Sequence, residues 1–317
     1  MPENHRFSFS AIALPGGEMV ELALPAGSSD PVVQAYLNGS SLNQYLIDWL
    51  LQFTDRGARL VDLGCHVGTL AVPAAALGRE VLAVDASPMH VESVRQSAQR
   101  NRLNGLRVEW CAVDRAEGEV EFDENGLWGM IARTPQNERA LRVPTRRVDA
   151  LVRSMGWESI DMVKMDIEGS ELSALESMGS LLSGPKAPML IYESNGMTFE
   201  LFGYTIEVMR SHLEAAGYIT CRMETGRLTY CDPMQLQPEA WLDVLALPPS
   251  WQKRVKIAVW SDEDMIARCL EWGANEHRNV REYLHHALAS QSRYPREDKR
   301  IVGLRAGLAA EFGVANA

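Results

Sequence analysis

The sequence predicts an α/β fold: a seven-stranded, doubly wound sheet with an N-terminal cap segment and a C-terminal helical appendage. Three observations carry this. From Arg59 onward, short apolar runs alternate with amphipathic helical segments, the pattern of βαβ units and a parallel sheet. Pro248-Pro249 end that alternation. Beyond them, apolar residues recur at spacings of three and four, as on helix faces. The expected division is therefore a cap segment over 1–58, a sheet domain over 59–249 and the appendage over 250–317.

Residues 1–58 mix short apolar pieces with turn residues (Gly16-Gly17, Pro25, Gly27) and a helical stretch near 42–53. Strands are expected at 59–63, 80–84, 106–111, 160–165, 188–193, 217–223 and 227–231, with a last candidate at 242–246. Helices between them are expected near 69–77, 88–103, 148–155, 169–182 and 204–216. Asn125-Gly126 lies between GEVEF and LWGMIA, and an Asn-Gly pair there predicts an inserted hairpin. In the tail, 262–272, 279–290 and 298–312 carry helical spacing.

Composition narrows the function classes. Hydrophobic residues make up 46% and charged residues 23% of the 317, which excludes wholesale disorder. The net charge is −11, and it is uneven. Residues 1–250 hold 20 basic and 33 acidic side chains, and 251–317 hold 11 and 9. Such an acidic body lacks the basic face that duplex nucleic acid or an anionic membrane requires, so neither partner is expected. The five cysteines form no CxxC pair and read as buried small hydrophobes in a reducing compartment. The start, MPENHRFSFS, lacks the basic and apolar regions of a signal peptide, and no run approaches 18 apolar residues. A soluble, cytoplasmic protein is expected.

The strongest motif runs from Leu60 to Leu70: an apolar strand ending at Asp62-Leu63, then Gly64-Cys65-His66-Val67-Gly68, then a helix. Glycines let such a loop approach a ligand, and the helix N-terminus offers free N–H groups. The next strand ends in Asp85, 23 residues past Asp62, where an acid accepts ribose hydroxyls. A nucleoside-containing ligand follows. The G-x-G-x-x-G fingerprint of NAD sites is absent, and so is a Walker lysine. D-x-G-x-x-x-G fits an S-adenosylmethionine loop better.

Five blocks occur in order over roughly 59–180: VDLGCHVG, AVDASPMHVESVRQSAQRNRLNG, CAVDRAEGEVEF, VPTRRVDAL and VKMDIEGSELSALE. With weaker likeness to about 247, they resemble the FkbM-type S-adenosylmethionine-dependent methyltransferases. The resemblance implies a Rossmann-like class I methyltransferase fold with S-adenosyl-L-methionine as cofactor. It implies a cofactor site built from Asp62, Gly64, Cys65, His66, Gly68, Asp85 and Ala86. It also sets Ala112 and Val113 beside the adenine and Asp114 near its amino group. Two positions depart from the family: Cys65-His66 replace Ala-Asn, and Asp85 often is Glu. The resemblance does not reach the tail beyond 250.

For chemistry, Asp166 ends one strand at the carboxyl edge, and Glu193 ends the next after an apolar run. A buried carboxyl there makes a suitable base for a hydroxyl that must lose its proton, so Asp166 and Glu193 are the catalytic candidates. Glu168 and Glu171 read as helix capping and dipole complement. Asp166 and Glu193 could together hold a divalent ion, but the expected site needs no metal. Adjacent His285-His286 point 100° apart on a helix and suit no shared ion. Arg293, Arg296, Lys299 and Arg300 read as a solvated face, and Trp251, Trp260 and Trp272 as core contacts of the appendage.

The expected reaction is methyl transfer from S-adenosylmethionine to a hydroxyl of a small molecule or glycan. The D/N-P-P-Y box of amino-directed enzymes is absent, since the strand end reads Met165-Asp166-Ile167-Glu168. The alternatives are N-methylation of an amine or peptide, or a non-catalytic scaffold acting through its tail. Acceptor specificity is expected in 28–45, 118–140 and 194–204, and homo-oligomerisation through the C-terminal helices.

Overall fold

A computed structural model of the chain describes residues 6–40, 44–124, 128–132, 140–224, 227–230, 242–252 and 257–259. In order, its elements begin with β1 (Phe7–Ala13), β2 (Met19–Pro25), α1 (Pro31–Leu37) and α2 (Gln44–Phe53). Next come β3 (Arg59–Leu63), α3 (Ala71–Ala76), β4 (Glu80–Asp85), α4 (Pro88–Arg100) and β5 (Leu106–Trp110). A lateral excursion follows: β6 (Ala112–Val113), β7 (Gly118–Asp123), β8 (Met130–Ile131) and β9 (Leu141–Arg146). The chain then runs through α5 (Val148–Ser154), β10 (Met162–Met165), α6 (Glu171–Met178), β11 (Met189–Ser194), α7 (Gly196–Leu201) and α8 (Ile206–Ala215). It continues with β12 (Ile219–Glu224), β13 (Arg227–Tyr230), β14 (Leu242–Leu247), α9 (Pro249–Gln252) and β15 (Ile257–Val259).

The central strands are near-continuous apolar runs because helices cover both faces of a parallel sheet. Val61, Leu63, Val163 and Met165 point to one side, where they pack with Leu151, Leu175, Met178 and Leu213 of α5, α6 and α8. Leu60, Met162 and Ile191 point to the other, against Leu50 of α2, Val72 of α3 and Leu22 and Leu24 of β2. The sheet order is β15-β13-β12-β14-β11-β10-β3-β4-β5. β5, β4, β3, β10 and β11 run parallel, and β14 lies antiparallel between β11 and β12. The chain starts in mid-sheet at β3, winds outward to β5, and returns to β10 on β3's other side. The β3–β10 boundary is thus a topological switch point, where a crevice opens at the carboxyl ends.

This is the Rossmann-like α/β sheet that the sequence predicts, with nine strands rather than seven. β13 folds back on β12, and β15 adds in parallel beyond β13. Residues 257–259, assigned by sequence to the helical appendage, form β15. Ile257 and Val259 are β-branched, and three residues are too few for periodicity to separate helix from strand. A second, four-stranded sheet, ordered β6-β9-β7-β8, projects from the carboxyl edge. In it β7 and β8 make the expected hairpin, pairing Phe122 with Ile131 and Asp123 with Met130. Trp251 packs edge-on to Phe53 with ring centroids 6.1 Å apart, in the main core rather than in an appendage.

The sequence-predicted helices at 262–272, 279–290 and 298–312 lie outside the described residues. So do Trp260, Trp272, His285, His286 and the basic cluster from Arg293 to Arg300. Among the described residues Cys65, Cys111 and Cys221 are buried, and no helix is long and apolar enough to cross a membrane.

The β1–β2 hairpin lies on α4. The Ala23 N–H donates to Ser97 Oγ at 2.8 Å, the Ser93 hydroxyl donates to the Ala23 carbonyl, and Arg100 meets Glu21 at 2.7 Å. Asp30 then joins two elements at once. Its Oδ1 accepts the Val32 and Val33 N–H groups at 2.8 and 3.1 Å, capping α1 ahead of Pro31. Its Oδ2 lies 3.0 Å from His66 Nε2, in the loop after β3. Burial alone would push the Asp30 carboxyl up. The His66 ring and the capping N–H groups outweigh it and hold the group down at about 2.

Two predictions follow from these contacts. A Cβ on Gly64, at φ +73°, would sit 1.8 Å from the Asp166 carbonyl oxygen, whereas one on Gly57, at φ +82°, would meet nothing within 4 Å. Gly64→Ala should cost more than about 3 kcal/mol in urea unfolding, since backbone has to move. Gly57→Ala should cost only the left-handed strain, about 1–2 kcal/mol. Equal losses would contradict this packing.

The second concerns pH. The folded value of Asp30 lies below its ordinary 3.8. Its stabilisation is therefore complete above that value and drains away as pH falls toward 2. Asp30→Asn keeps the cap oxygen and removes the charge. It should lose about 2 kcal/mol at pH 7, a deficit that narrows at pH 3 in urea titrations; a constant deficit would refute the charge as its source.

Candidate active site

The crevice is built by three strand ends. After β3 the chain turns through Gly64 and His66, both at positive φ, so that the Gly64 and Cys65 N–H groups donate to the Val84 carbonyl at 2.9 and 3.1 Å. The loop after β10 lies against Gly64, backbone to backbone. Between these loops, the end of β4 and the second sheet lies an open cleft.

Its lining falls into three parts. His66, Asp85, Ala86 and His90 form a polar end. Cys111, Ala112 and Val113 face Phe122, Met130 and Ile131 across an apolar slot suited to a flat ring. Asp166, Ile167, Glu168 and Ser170 close the far end. Of the sequence candidates, Gly64, His66, Asp85, Ala86, Ala112, Val113 and Asp166 line the cleft.

Asp62, Cys65, Gly68, Asp114 and Glu193 are not among its lining residues. Asp62 is buried, with neither carboxylate oxygen hydrogen-bonded and Lys164 Nζ 3.9 Å away. Burial, reinforced by Asp166 and Asp85 and opposed by Lys164, pushes its carboxyl up to about 6. Cys65 is buried, and that burial drives its thiol well up. Gly68 closes on Val72 and Val94. Asp114 turns its Oδ1 to the Arg115 N–H at 2.7 Å.

Asp85 is more occupied than the sequence suggested. Its Oδ2 accepts the His66 N–H at 2.8 Å. Its Oδ1 accepts the Ser87 N–H at 2.9 Å and lies 3.2 Å from His90 Nδ1. Of about four acceptor positions on a carboxylate, one is left for a ligand hydroxyl. Burial raises the Asp85 carboxyl, but the His90 ring and the N–H groups bring it below its ordinary range. Burial likewise lowers the His90 imidazole, and the Asp85 bond overrides this to raise it. The His90 and His66 rings meet edge to face at 4.3 Å. Asp30, His66, His90 and Asp85 thus form one chain of contacts from the N-terminal segment to the cleft.

At the far end, oxygens of Asp166, Glu168 and Glu193 lie within 4.8 Å of one another. Lys164 Nζ donates to Asp166 Oδ2 at 3.0 Å and to the Gly64 carbonyl at 3.2 Å. Glu171 opens α6, and its carboxylate accepts the Ile167 and Gly169 N–H groups of the preceding turn, both at 2.9 Å, while the N-cap Ser170 has no side-chain cap bond. Glu168 does not cap the helix either. It precedes the N-cap Ser170 by two residues, and its buried carboxylate lines the cleft. Burial, followed by Asp166 and Glu171, pushes Glu168 up to about 7. Burial, followed by Asp166, Glu168, Glu171 and Asp243, pushes Glu193 far upward.

Besides Glu168, sequence reasoning missed His90, the partner of Asp85, and further contributors. The hairpin residues Phe122, Met130 and Ile131 wall the slot, though 118–140 read as an acceptor loop. Asp243 of β14 is the cross-strand partner of Glu193. Tyr45 of α2 donates its hydroxyl to the Asp243 carboxylate.

Known proteins resemble parts of this chain. The ribosomal protein L11 methyltransferase of Symbiobacterium thermophilum is 39% identical over 76 residues, covering 23% of this chain and 25% of the relative. The ubiquinone biosynthesis O-methyltransferase of Methylocella silvestris is 34% identical over 96 residues, covering 29% and 37%. The chain therefore spans well under two thirds of these relatives. Among solved structures, the Pyrococcus abyssi tRNA (uracil-54, C5)-methyltransferase with S-adenosyl-L-homocysteine superposes with a TM-score of 0.40 at 14% identity, over 75% of this chain and 43% of that one. The family model described as "Methyltransferase FkbM domain" matches residues 62–220, half of the chain, and spans both the glycine loop and the Asp166–Glu193 end of the cleft. The chain belongs to the FkbM methyltransferase family, whose methyl donor is S-adenosyl-L-methionine.

Proposed function

We propose that the protein is an O-methyltransferase whose acceptor is a hydroxyl of a small molecule or glycan. The observation that carries this is the carboxylate group at the far end of the cleft. A hydroxyl sheds a proton during methylation, and a carboxylate beside the reacting end can receive it.

The lining of the cleft fits the donor in chemistry. The apolar slot suits an adenine, and the open acceptor position on Asp85 suits one ribose hydroxyl. When bound, S-adenosylmethionine supplies a methyl group on a sulfonium sulfur that leaves as a neutral thioether with the C–S electron pair. The chain's own residues align and dehydrate the approach. Asp166 lines the cleft, and its carboxylate takes the acceptor proton as the hydroxyl oxygen bonds to the methyl carbon. Glu193, set behind Asp166, is the second candidate for that proton.

The likeness to an O-methyltransferase, the missing D/N-P-P-Y box and the net charge of −11 support this acceptor class over a polyanion. The buried thiols of Cys65 and Cys111 support a reducing, cytoplasmic setting. The likeness to a protein methyltransferase supports the rival reading, an amine or peptide acceptor.

The test is incubation of the purified chain and methyl-labelled S-adenosylmethionine with a cell extract, followed by fractionation. Label should enter small molecules or glycans as methyl ethers. Label in RNA, in protein or on nitrogen would overturn the proposal. With the acceptor in hand, Asp166→Asn should keep its affinity for S-adenosylhomocysteine and lose about 10²–10⁴ in kcat. A raised KM with unchanged kcat would assign Asp166 to orientation alone.

A further inference from the structure

We infer that Asp166, Glu168 and Glu193 form a binding site for one divalent cation, a hard ion such as Mg²⁺ or Mn²⁺, at the reacting end of the cleft. The inference concerns the chain's own carboxylates, and the O-methyltransferase reading enters only in the ion's role.

Geometry is the first support. Each residue offers a carboxylate oxygen within 4.8 Å of the other two. Oxygens about 2.0–2.6 Å from a common ion stand about 3–5 Å apart, so one ion reaches all three. The donors are all carboxylate oxygens, the set that selects Mg²⁺, Mn²⁺ or Ca²⁺ over softer metals.

Glu168 is the second, independent support. It is only 6% exposed, and its Oε2 has no hydrogen-bond partner. The side chain lines the cleft beside Asp166, and Glu193 brings an oxygen within 4.8 Å of both. A buried carboxylate oxygen without a donor is costly, and none of the described residues supplies one. Lys164 is committed to Asp166 Oδ2 and the Gly64 carbonyl. The N–H groups of Ile167 and Gly169 are committed to Glu171. Lys164 is the one ammonium that the described residues set beside these carboxylates, and it is shared with Asp62.

The sequence reading paired only Asp166 and Glu193 and expected no required metal. With Glu168 turned into the cleft there are three carboxylates. A six-coordinate ion held by three protein oxygens keeps positions for water and for an acceptor oxygen. An acceptor hydroxyl bound there is positioned and made more acidic.

The experiment is Mn²⁺ titration of the full chain, stripped with chelator and saturated with S-adenosylhomocysteine, followed by electron paramagnetic resonance of free Mn²⁺. Binding of S-adenosylhomocysteine is measured beforehand by calorimetry. We expect one Mn²⁺ per chain, displaced by excess Mg²⁺. Glu168→Gln should weaken Mn²⁺ by at least about tenfold while S-adenosylhomocysteine still binds. Glu193→Gln provides the same reading should Glu168→Gln not fold. No Mn²⁺ binding by wild-type protein that binds S-adenosylhomocysteine would overturn the cation site alone and leave protons or an acceptor's ammonium as the neutralising charge. Mn²⁺ binding unchanged in both variants would overturn it as well. Failure to bind S-adenosylhomocysteine would instead strike the methyltransferase reading.

Discussion

At Gly64 the chain lies against itself with no side chain between. The loop leaving β3 rests on the carbonyl of Asp166, the first residue after β10, at a separation that excludes even a methyl group. β3 and β10 are neighbours through which the two halves of the winding are joined. The contact therefore sets the width of the crevice at the switch point and the position of Asp166 in it. Lys164 bridges the same two loops from below, one residue before β10 ends. Displacing either loop would move the polar end and the reacting end of the cleft together.

Around this contact the electrostatics are one-sided. Among the described residues, Asp62, Asp166, Glu168, Glu193 and Asp243 gather near one ammonium, that of Lys164. Such a density of carboxylates works against folding, because each loses hydration and repels the rest. Active sites tolerate arrangements of this kind when a ligand uses the stored charge.

The sheet was legible in the sequence because parallel strands buried on both faces are written as continuous apolar runs. Leu60–Leu63 and Met189–Tyr192 are of that kind. The edge was less legible: Ile257–Val259 is too short to declare a period, and β9 contains Pro144, which breaks a strand pattern. At the site, Asp85 was legible from its place at a strand end, but its company was not. His66 and His90 approach it only because the glycine loop bends back and α4 starts nearby. Glu168 was misread because an acid just ahead of a helix ordinarily serves that helix. Tyr45, Asp243 and Glu193 come from three distant segments, joined by cross-strand register that no local spacing records.

One carboxylate gives the first forty residues a stake in the cleft. Asp30 uses one oxygen to start α1 and the other to hold His66, whose own N–H is bonded to Asp85. The opening turn of α1 and the set of the glycine loop are thereby parts of a single cooperative unit. A ligand that presses the loop into place will slow amide exchange in a helix it never touches. Fraying at the start of α1 will in turn be felt as a looser grip on the ligand.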